Sequence, residues 1–228
     1  LRSYMLGVYN YMTLGLGVTG LVAYGAKMLT TTTTVAGKMA LTPLGQTLYQ
    51  SPVKWLVMLA PLAFVFIFSF NIQRMSAAAA RNMFIAFAAV MGLSLSTLLL
   101  VFTGESVARA FFITAATFGG LSLYGYTTRR DLSAFGSFLV MGVIGLIIAS
   151  LVNMFVQSSA MQFGLSILSV LIFAGLTAWD TQSIKEMYYA SDDYETATKK
   201  SVNGALMLYL DFVNIFQSIL SLTGSRND

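Results

Sequence analysis

Two acidic residues stand in apolar sequence towards the C-terminus, Asp180 in AWDTQSIK and Asp211 in LYLDFVNIF. A charged carboxylate inside a bilayer costs roughly 2.5–3.5 kcal/mol on insertion scales, so it must face a bundle interior or a wet cavity and have a partner. Two carboxyl groups at hydrogen-bond distance share one proton and titrate in two coupled steps. Such a pair could sense pH, and it could bind a calcium ion weakly and transiently, because calcium prefers oxygen ligands.

Polar residues accompany both acids at helical spacing. Thr177 precedes Asp180 by three positions, and Asn214 and Ser218 follow Asp211 by three and seven. Residues three, four and seven apart lie on one face of a helix, so each acid belongs to a polar stripe. Asp211 lies about 13 Å into its span at 1.5 Å per residue. Because the connection between the two spans is on one side of the membrane, both acids are predicted at a similar depth.

A cation is expected near the acids. Arg74, in FNIQRM at the end of the second span, is the first candidate, and Arg81, at the start of the third, is the second. A guanidinium that bonds to the pair would act as a latch. We expect acid pH to weaken this bond and to favour an open state.

The composition predicts an integral membrane protein with no enzymatic activity. The chain has 228 residues, of which 57% are hydrophobic and only 10% charged, whereas soluble domains are about one-quarter charged. It contains neither cysteine nor histidine, which excludes disulfides, Cys/His zinc sites and Ser-His-Asp or Cys-His catalysis. No nucleotide-binding motif is found. We therefore expect no cofactor, and the net charge of +4 calls for no nucleic-acid partner.

Seven apolar stretches are long enough to cross a bilayer as helices, which need about 20 residues. The sequence therefore predicts an all-α polytopic membrane protein, a single domain over 1–228 in which the last helix is central, because lipid would reject its polar stripe. The predicted spans are 5–28, 53–72, 78–102, 107–126, 132–157, 160–188 and 202–222. The connection 29–52 is predicted to be an exposed loop with a short extended or interfacial piece.

The distribution of basic residues predicts the orientation, since cytoplasmic loops carry more Lys and Arg. With the N-terminus in the cytoplasm, eight basic residues lie on the cytoplasmic side and five on the other. This favours a cytoplasmic N-terminus and a C-terminus outside.

The two acidic motifs closely resemble the paired C-terminal motifs of the transmembrane Bax-inhibitor motif family, and the arginine-bearing turn before FIAFAAVMGLSL is similar to its second-to-third-helix region. The resemblance implies a seven-helix bundle around the last helix, in the bacterial inner membrane. It also implies a slow, pH-governed calcium leak, with Asp180 and Asp211 as the hydrogen-bonded pair and Arg74 as the latch. Some relatives carry an acid midway along the second span, where this chain has only apolar residues at 61–68.

Two other functions remain open. Some bacterial relatives restrain a membrane-anchored ATP-dependent protease, so the chain could be a non-conducting modulator of such a protease. Two intramembrane aspartates also define aspartyl hydrolases, but the contexts WDTQ and LDFVN differ from the glycine-containing motif of those enzymes. The calcium leak is the preferred prediction.

Overall fold

The computed structural model describes residues 1–227, which form a helical bundle with one small β-hairpin. In chain order the helices are α1 (Arg2–Thr30), α2 (Pro43–Tyr49), α3 (Val53–Asn71), α4 (Ala77–Val101), α5 (Gly104–Thr127), α6 (Ser133–Val156), α7 (Ser159–Glu186) and α8 (Tyr194–Thr223). Strands β1 (Thr31–Thr33) and β2 (Met39–Leu41) pair antiparallel between α1 and α2.

Seven of these helices, all except α2, are long and apolar enough to cross a membrane. The prediction of an all-α polytopic membrane protein is therefore confirmed. The N-terminal face of the bundle contains the start of α1, the α3–α4 turn, the α5–α6 loop and the α7–α8 loop. The opposite face contains the hairpin, α2, the α4–α5 and α6–α7 connections and the end of α8.

Helix α8 is the central helix. In its most hydrophobic 18-residue window 61% of the residues are buried, compared with 11–28% in the other six spans. It packs against α1, α4, α5 and α7, whereas α6 packs on α7, and α3 packs on α4 and α2. The central position predicted for the last helix is confirmed, but only four helices surround α8 directly, and α3 and α6 form an outer layer.

Helix α8 begins at Tyr194, well before the predicted span start at residue 202. Asp193 is its N-cap, and the Asp193 carboxylate accepts a hydrogen bond of 2.9 Å from the backbone N–H of Thr196. This bond satisfies one of the free N–H groups of the first turn. Hydrogen bonding to Thr196 also lowers the pKa of the Asp193 carboxyl. The first two turns of α8 therefore extend beyond the apolar segment as a polar helix.

A buried hydrogen-bond network joins α8 to two neighbours. The Tyr209 hydroxyl lies 2.5 Å from the Thr19 hydroxyl of α1, which donates to the Ala88 carbonyl of α4 at 2.8 Å. The rings of Phe84 and Phe87 meet the Tyr209 ring edge to face. Polar bonds of this kind fix helix positions where the hydrophobic effect cannot, since lipid is as apolar as the side chains.

Glycines allow α7 to lie very close to α5 and α6. A β-carbon at Gly125 of α5 would overlap the Ala178 carbonyl oxygen, and one at Gly136 of α6 would overlap the Trp179 ring. These contacts lie one and two residues before Asp180. The two residues before Asp180 therefore pack closely against α5 and α6.

The segment after α8 folds back on the α4–α5 connection. The backbone N–H of Ser225 donates to the Ser106 side chain at 2.8 Å, the Thr103 N–H donates to the Ser225 carbonyl at 2.9 Å, and the Asn227 N–H donates to the Val101 carbonyl at 2.8 Å. The end of the central helix is thus tied to the start of α5 on the opposite face.

Candidate functional site

The two aspartates predicted to form a pair lie side by side in the interior. Asp180 of α7 is 8% exposed and Asp211 of α8 is 4% exposed. Their carboxyl groups are within hydrogen-bonding contact of each other across the α7–α8 interface. A carboxylate can only accept hydrogen bonds, so the two groups bond only when one of them carries a proton. The two side chains are therefore close enough to share one proton.

One carboxyl oxygen of Asp211 has no hydrogen-bond donor. Its Oδ2 atom is buried, and no N–H or O–H group in residues 1–227 bonds to it. A buried acceptor without a donor destabilises the fold, and more so if the group is charged. The site therefore gains from a proton or a cation at this atom.

The polar residues predicted to support the pair occupy the same two helices. Thr177 is fully buried and donates to the Phe173 carbonyl at 2.8 Å, and the Asn214 amide donates to the Leu210 carbonyl at 2.8 Å. Ser218 donates to Ser169 of α7 at 2.8 Å. The two polar stripes therefore face each other. They touch directly at Ser169 and Ser218, which lie between the aspartates and the opposite face of the bundle.

A cavity of about 710 Å³ lies beside the polar stripes of α7 and α8, in the half of the bundle towards the opposite face. Its walls come from α3, α6, α7 and α8, and its polar side chains include Ser150, Ser166, Ser169, Asn214, Gln217 and Ser218. No charged residue lines it. Asn214 is one helical turn from Asp211, and Phe173, which also lines the cavity, is one turn from Thr177. The cavity thus ends about one turn short of the acid pair.

The structure does not bring the predicted latch to the aspartates. Arg74 lies in the α3–α4 turn with its side chain exposed, and Arg81 in the first turns of α4 is half-buried. Within residues 1–227 the ion pairs are Arg109–Glu105 and Lys200–Asp192, so neither arginine pairs with an acid in this conformation. A snorkelling side chain at a helix end explains the exposed position of Arg74.

The nearby lysines are also engaged elsewhere. Lys185, in the same motif as Asp180, donates to the Tyr126 carbonyl at 2.9 Å and lies over the Tyr126 ring. Lys200 pairs with Asp192 at 2.6 Å. Lys185 and Lys200 therefore stabilise the ends of helices at the N-terminal face.

Gln182 is a structural residue of the motif that the sequence did not reveal. Its side-chain amide donates to the Arg130 carbonyl at 2.8 Å, and its carbonyl oxygen accepts from the Leu132 N–H at 2.9 Å. One side chain thus binds a backbone carbonyl and a backbone N–H of the turn between α5 and α6. Gln182 lies in the same motif as Asp180, but its partner Leu132 is 50 residues away along the chain, so the local sequence does not indicate this contact.

A Gln182→Glu substitution is expected to loosen this loop. The glutamate still accepts from Leu132 but cannot donate to the Arg130 carbonyl, a loss of about 1 kcal/mol for one hydrogen bond. Limited tryptic cleavage after Arg129 and Arg130 should therefore be faster. The matched control is Gln73→Glu, since Gln73 is exposed in the α3–α4 turn. An unchanged cleavage rate would contradict this role of Gln182.

The site contains too few acids for a tight metal centre. In the described part of the chain, no three residues of the types His, Cys, Asp and Glu cluster so as to hold a metal ion. Calcium takes six to eight oxygen ligands, and two carboxyl groups supply at most four of them. The aspartate pair alone therefore does not complete a calcium coordination shell.

Known proteins resemble this chain over its full length. All of residues 1–228 match the family described as "Inhibitor of apoptosis-promoting Bax1". The uncharacterised protein RP147 of Rickettsia prowazekii is 44% identical over 228 residues, which cover 100% of this chain and 92% of the relative. The inner membrane protein YbhL of Escherichia coli K12 is 41% identical over 229 residues, which cover 99% and 93%.

A more distant relative also matches over the full length of this chain. An uncharacterised membrane protein of Streptococcus pyogenes serotype M3 is 32% identical over 233 residues, covering 100% of this chain and 94% of the relative. The seven candidate spans agree with these matches, and the chain belongs to the Bax inhibitor family of membrane proteins.

Proposed function

We propose that this protein is a pH-sensitive leak channel for cations, with calcium as the permeant ion, in the bacterial inner membrane. The observation that carries the proposal is the buried contact between Asp180 and Asp211 at the centre of the bundle. An intramembrane ionisable pair marks an ion or proton pathway. The inner membrane is proposed from the relative YbhL, whose name places it there.

The polar cavity supplies one half of a path. It brings hydroxyl and amide groups, which can replace part of the water around a cation, to within about one helical turn of the acid pair. On the other side of the pair, the buried residues Ile184, Leu208 and Val202 close the interior towards the N-terminal face. This conformation is therefore closed, and conduction needs a rearrangement near that face.

Helix α3 is an outer helix that carries the proposed latch at its end. It packs mainly on α4 and the short helix α2, and 17% of its apolar window is buried, compared with 61% for α8. Arg74 lies three residues after the end of α3, so a shift of this helix would carry the Arg74 guanidinium towards or away from the acids. A guanidinium bonds well to a carboxylate pair that has lost its proton and poorly to one that is protonated. With Arg74 exposed, this conformation is closed by apolar side chains alone, and the proposed latch would strengthen that closure when the pair is ionised.

An Arg74→Ala variant is expected to raise calcium flux at neutral pH and to flatten its pH dependence, because no latch is left for acid to release. Arg74→Lys should restore the wild-type behaviour only in part, since an ammonium cannot bond in the planar, bidentate manner of a guanidinium. The measurement is calcium entry into dye-loaded liposomes across a pH series. Arg129→Ala is the matched control, because Arg129 is exposed in the α5–α6 loop on the same face. Identical profiles for wild type and Arg74→Ala would remove the latch.

The proposal as a whole is tested with purified protein in liposomes that contain a calcium dye. Flux should exceed that of protein-free liposomes and should change between acidic and neutral pH. Glu195→Gln is a suitable control, because Glu195 is exposed and lies about 24 Å along α8 from Asp211 at 1.5 Å per residue. Absence of flux at every pH would overturn the channel, and co-purification of a membrane-anchored protease without flux would favour the modulator instead.

A further inference from the structure

The line along which α1 and α5 face each other is open to the membrane. Within the described residues, α1 packs on α4 and α8, and α5 packs on α7 and α8, but the two helices are not packed on each other. One hydrogen bond bridges them, between the Tyr9 hydroxyl and the Ser122 side chain at 2.5 Å. We call this line the α1–α5 seam, and side chains of the central helix line a cavity in it.

A cavity of about 450 Å³ lies in the half of the seam towards the opposite face. Its floor is α8, at Phe212, Val213 and Phe216, and its walls are apolar side chains of α1, α4 and α5. Lys27, in the last turn of α1, is the one charged residue among those that line it. In the described chain Lys27 forms no ion pair.

The dimensions match one leaflet of a bilayer. The α1 side of the cavity runs from Leu16 to Lys27, about 17 Å at 1.5 Å per residue. Half of the hydrocarbon core of a bilayer is about 15 Å thick. The apolar end of the cavity is thus near the membrane centre, and the Lys27 ammonium is at the level of the phosphates.

The seam has a second cavity that is also lined by apolar side chains and one basic residue. It has a volume of about 640 Å³, lies towards the N-terminal face between Met5, Leu6 and Phe118, and has Arg2 as its one charged lining residue. Each half of the seam therefore has apolar walls and a cation at the membrane surface. This is the arrangement of the two leaflets of a bilayer, with phosphates on both outer surfaces.

From these features we propose that the cavity at Lys27 binds a glycerophospholipid, with one acyl chain against Phe212 and Phe216 and the phosphate on the Lys27 ammonium. Sites for small ligands are mostly apolar with a few polar groups that fix orientation, as here. A transmembrane helix is the wrong size, because one turn about 10 Å wide and 5.4 Å long already fills roughly 400 Å³. The flexible acyl chain of a lipid fits the narrow space that remains.

The test measures lipid that stays bound in native mass spectrometry of detergent-purified protein titrated with dioleoyl phosphatidylglycerol. Lys27→Gln should weaken binding roughly fivefold, the effect of about 1 kcal/mol for one basic side chain near an anionic surface. Gly20→Leu should weaken it by at least as much, because Gly20 lines the cavity and has open space at its Cβ position, so that leucine fills the cavity without a clash.

Each variant has a matched control. Gly17→Leu adds the same side chain to an exposed position of α1 outside the cavity, again in open space. Lys38→Gln removes a charge from the exposed hairpin on the same face. Both controls should bind lipid as the wild type does. Equal binding by all four variants would overturn the site, and loss in Gly20→Leu without loss in Lys27→Gln would overturn the phosphate contact. Calcium flux plays no part in this measurement.

Discussion

An Asp211→Asn variant is expected to conduct calcium at less than about one-tenth of the wild-type rate, a rise of roughly 1.4 kcal/mol in the barrier. Asparagine keeps the size of the side chain but cannot become an anion. The amide can also donate to Asp180, which removes the need for a shared proton. Both the attraction for a cation and the pH response should therefore fall together in liposome flux measurements.

Asp180→Asn should have the same effect, and the double variant should be no worse than either single one. Residues that act as a unit give strongly non-additive effects, because losing one partner already destroys the unit. Thermal stability of each variant, measured in detergent, controls for misfolding. Because Asp211 Oδ2 has no donor in the described structure, we expect Asp211→Asn to be at least as stable as the wild type. Flux that persists unchanged in both single variants would show that ions take another route.

A Gly125→Val substitution is expected to destabilise the bundle more than any change at the acid pair. The valine β-carbon would overlap the Ala178 carbonyl oxygen, which belongs to backbone that cannot rotate away. Overpacking of this kind costs about 1–3 kcal/mol or more, and here α5 and α7 would have to separate. The thermal midpoint in detergent should drop, and much of the protein should aggregate on size-exclusion chromatography.

Gly119→Val is the matched control on the same helix, because nothing lies within 4 Å of a β-carbon at Gly119. It should keep the wild-type midpoint to within the effect of one helix-propensity change, about 0.5 kcal/mol. If Gly125→Val were as stable as Gly119→Val, close backbone packing of α5 on α7 could not be what positions Asp180.

Much of the fold follows from features that are local in the sequence. The spans could be predicted because lipid demands about 20 consecutive apolar residues, and the central position of α8 could be predicted because its polar stripe includes Asp211. The polar helical turns that precede the predicted span at 202–222 were not predicted. Glu195, Lys199 and Lys200 lower the hydropathy of the first turns, and hydropathy does not report a helix that continues into water with an Asp193 cap.

The contacts of the site depend on partners far away along the chain. Tyr209 and Thr19 are 190 residues apart, and nothing in either local sequence shows that their hydroxyl groups meet. The same holds for Gln182 and the α5–α6 loop. The direction of a long side chain is equally undetermined, and for this reason the position of Arg74 indicated a latch while the structure has the side chain exposed.

The central position of α8 has a consequence for biosynthesis. Chains are made from the N-terminus, at about 5–20 residues per second, so α1 to α7 leave the ribosome before the helix on which four of them pack. Until α8 arrives, Thr19 of α1 and Ser169 of α7 lack their hydrogen-bond partners Tyr209 and Ser218. The six earlier spans must therefore wait in the translocon or the bilayer as a loose, partly polar assembly, and the core closes only when its last-made member inserts.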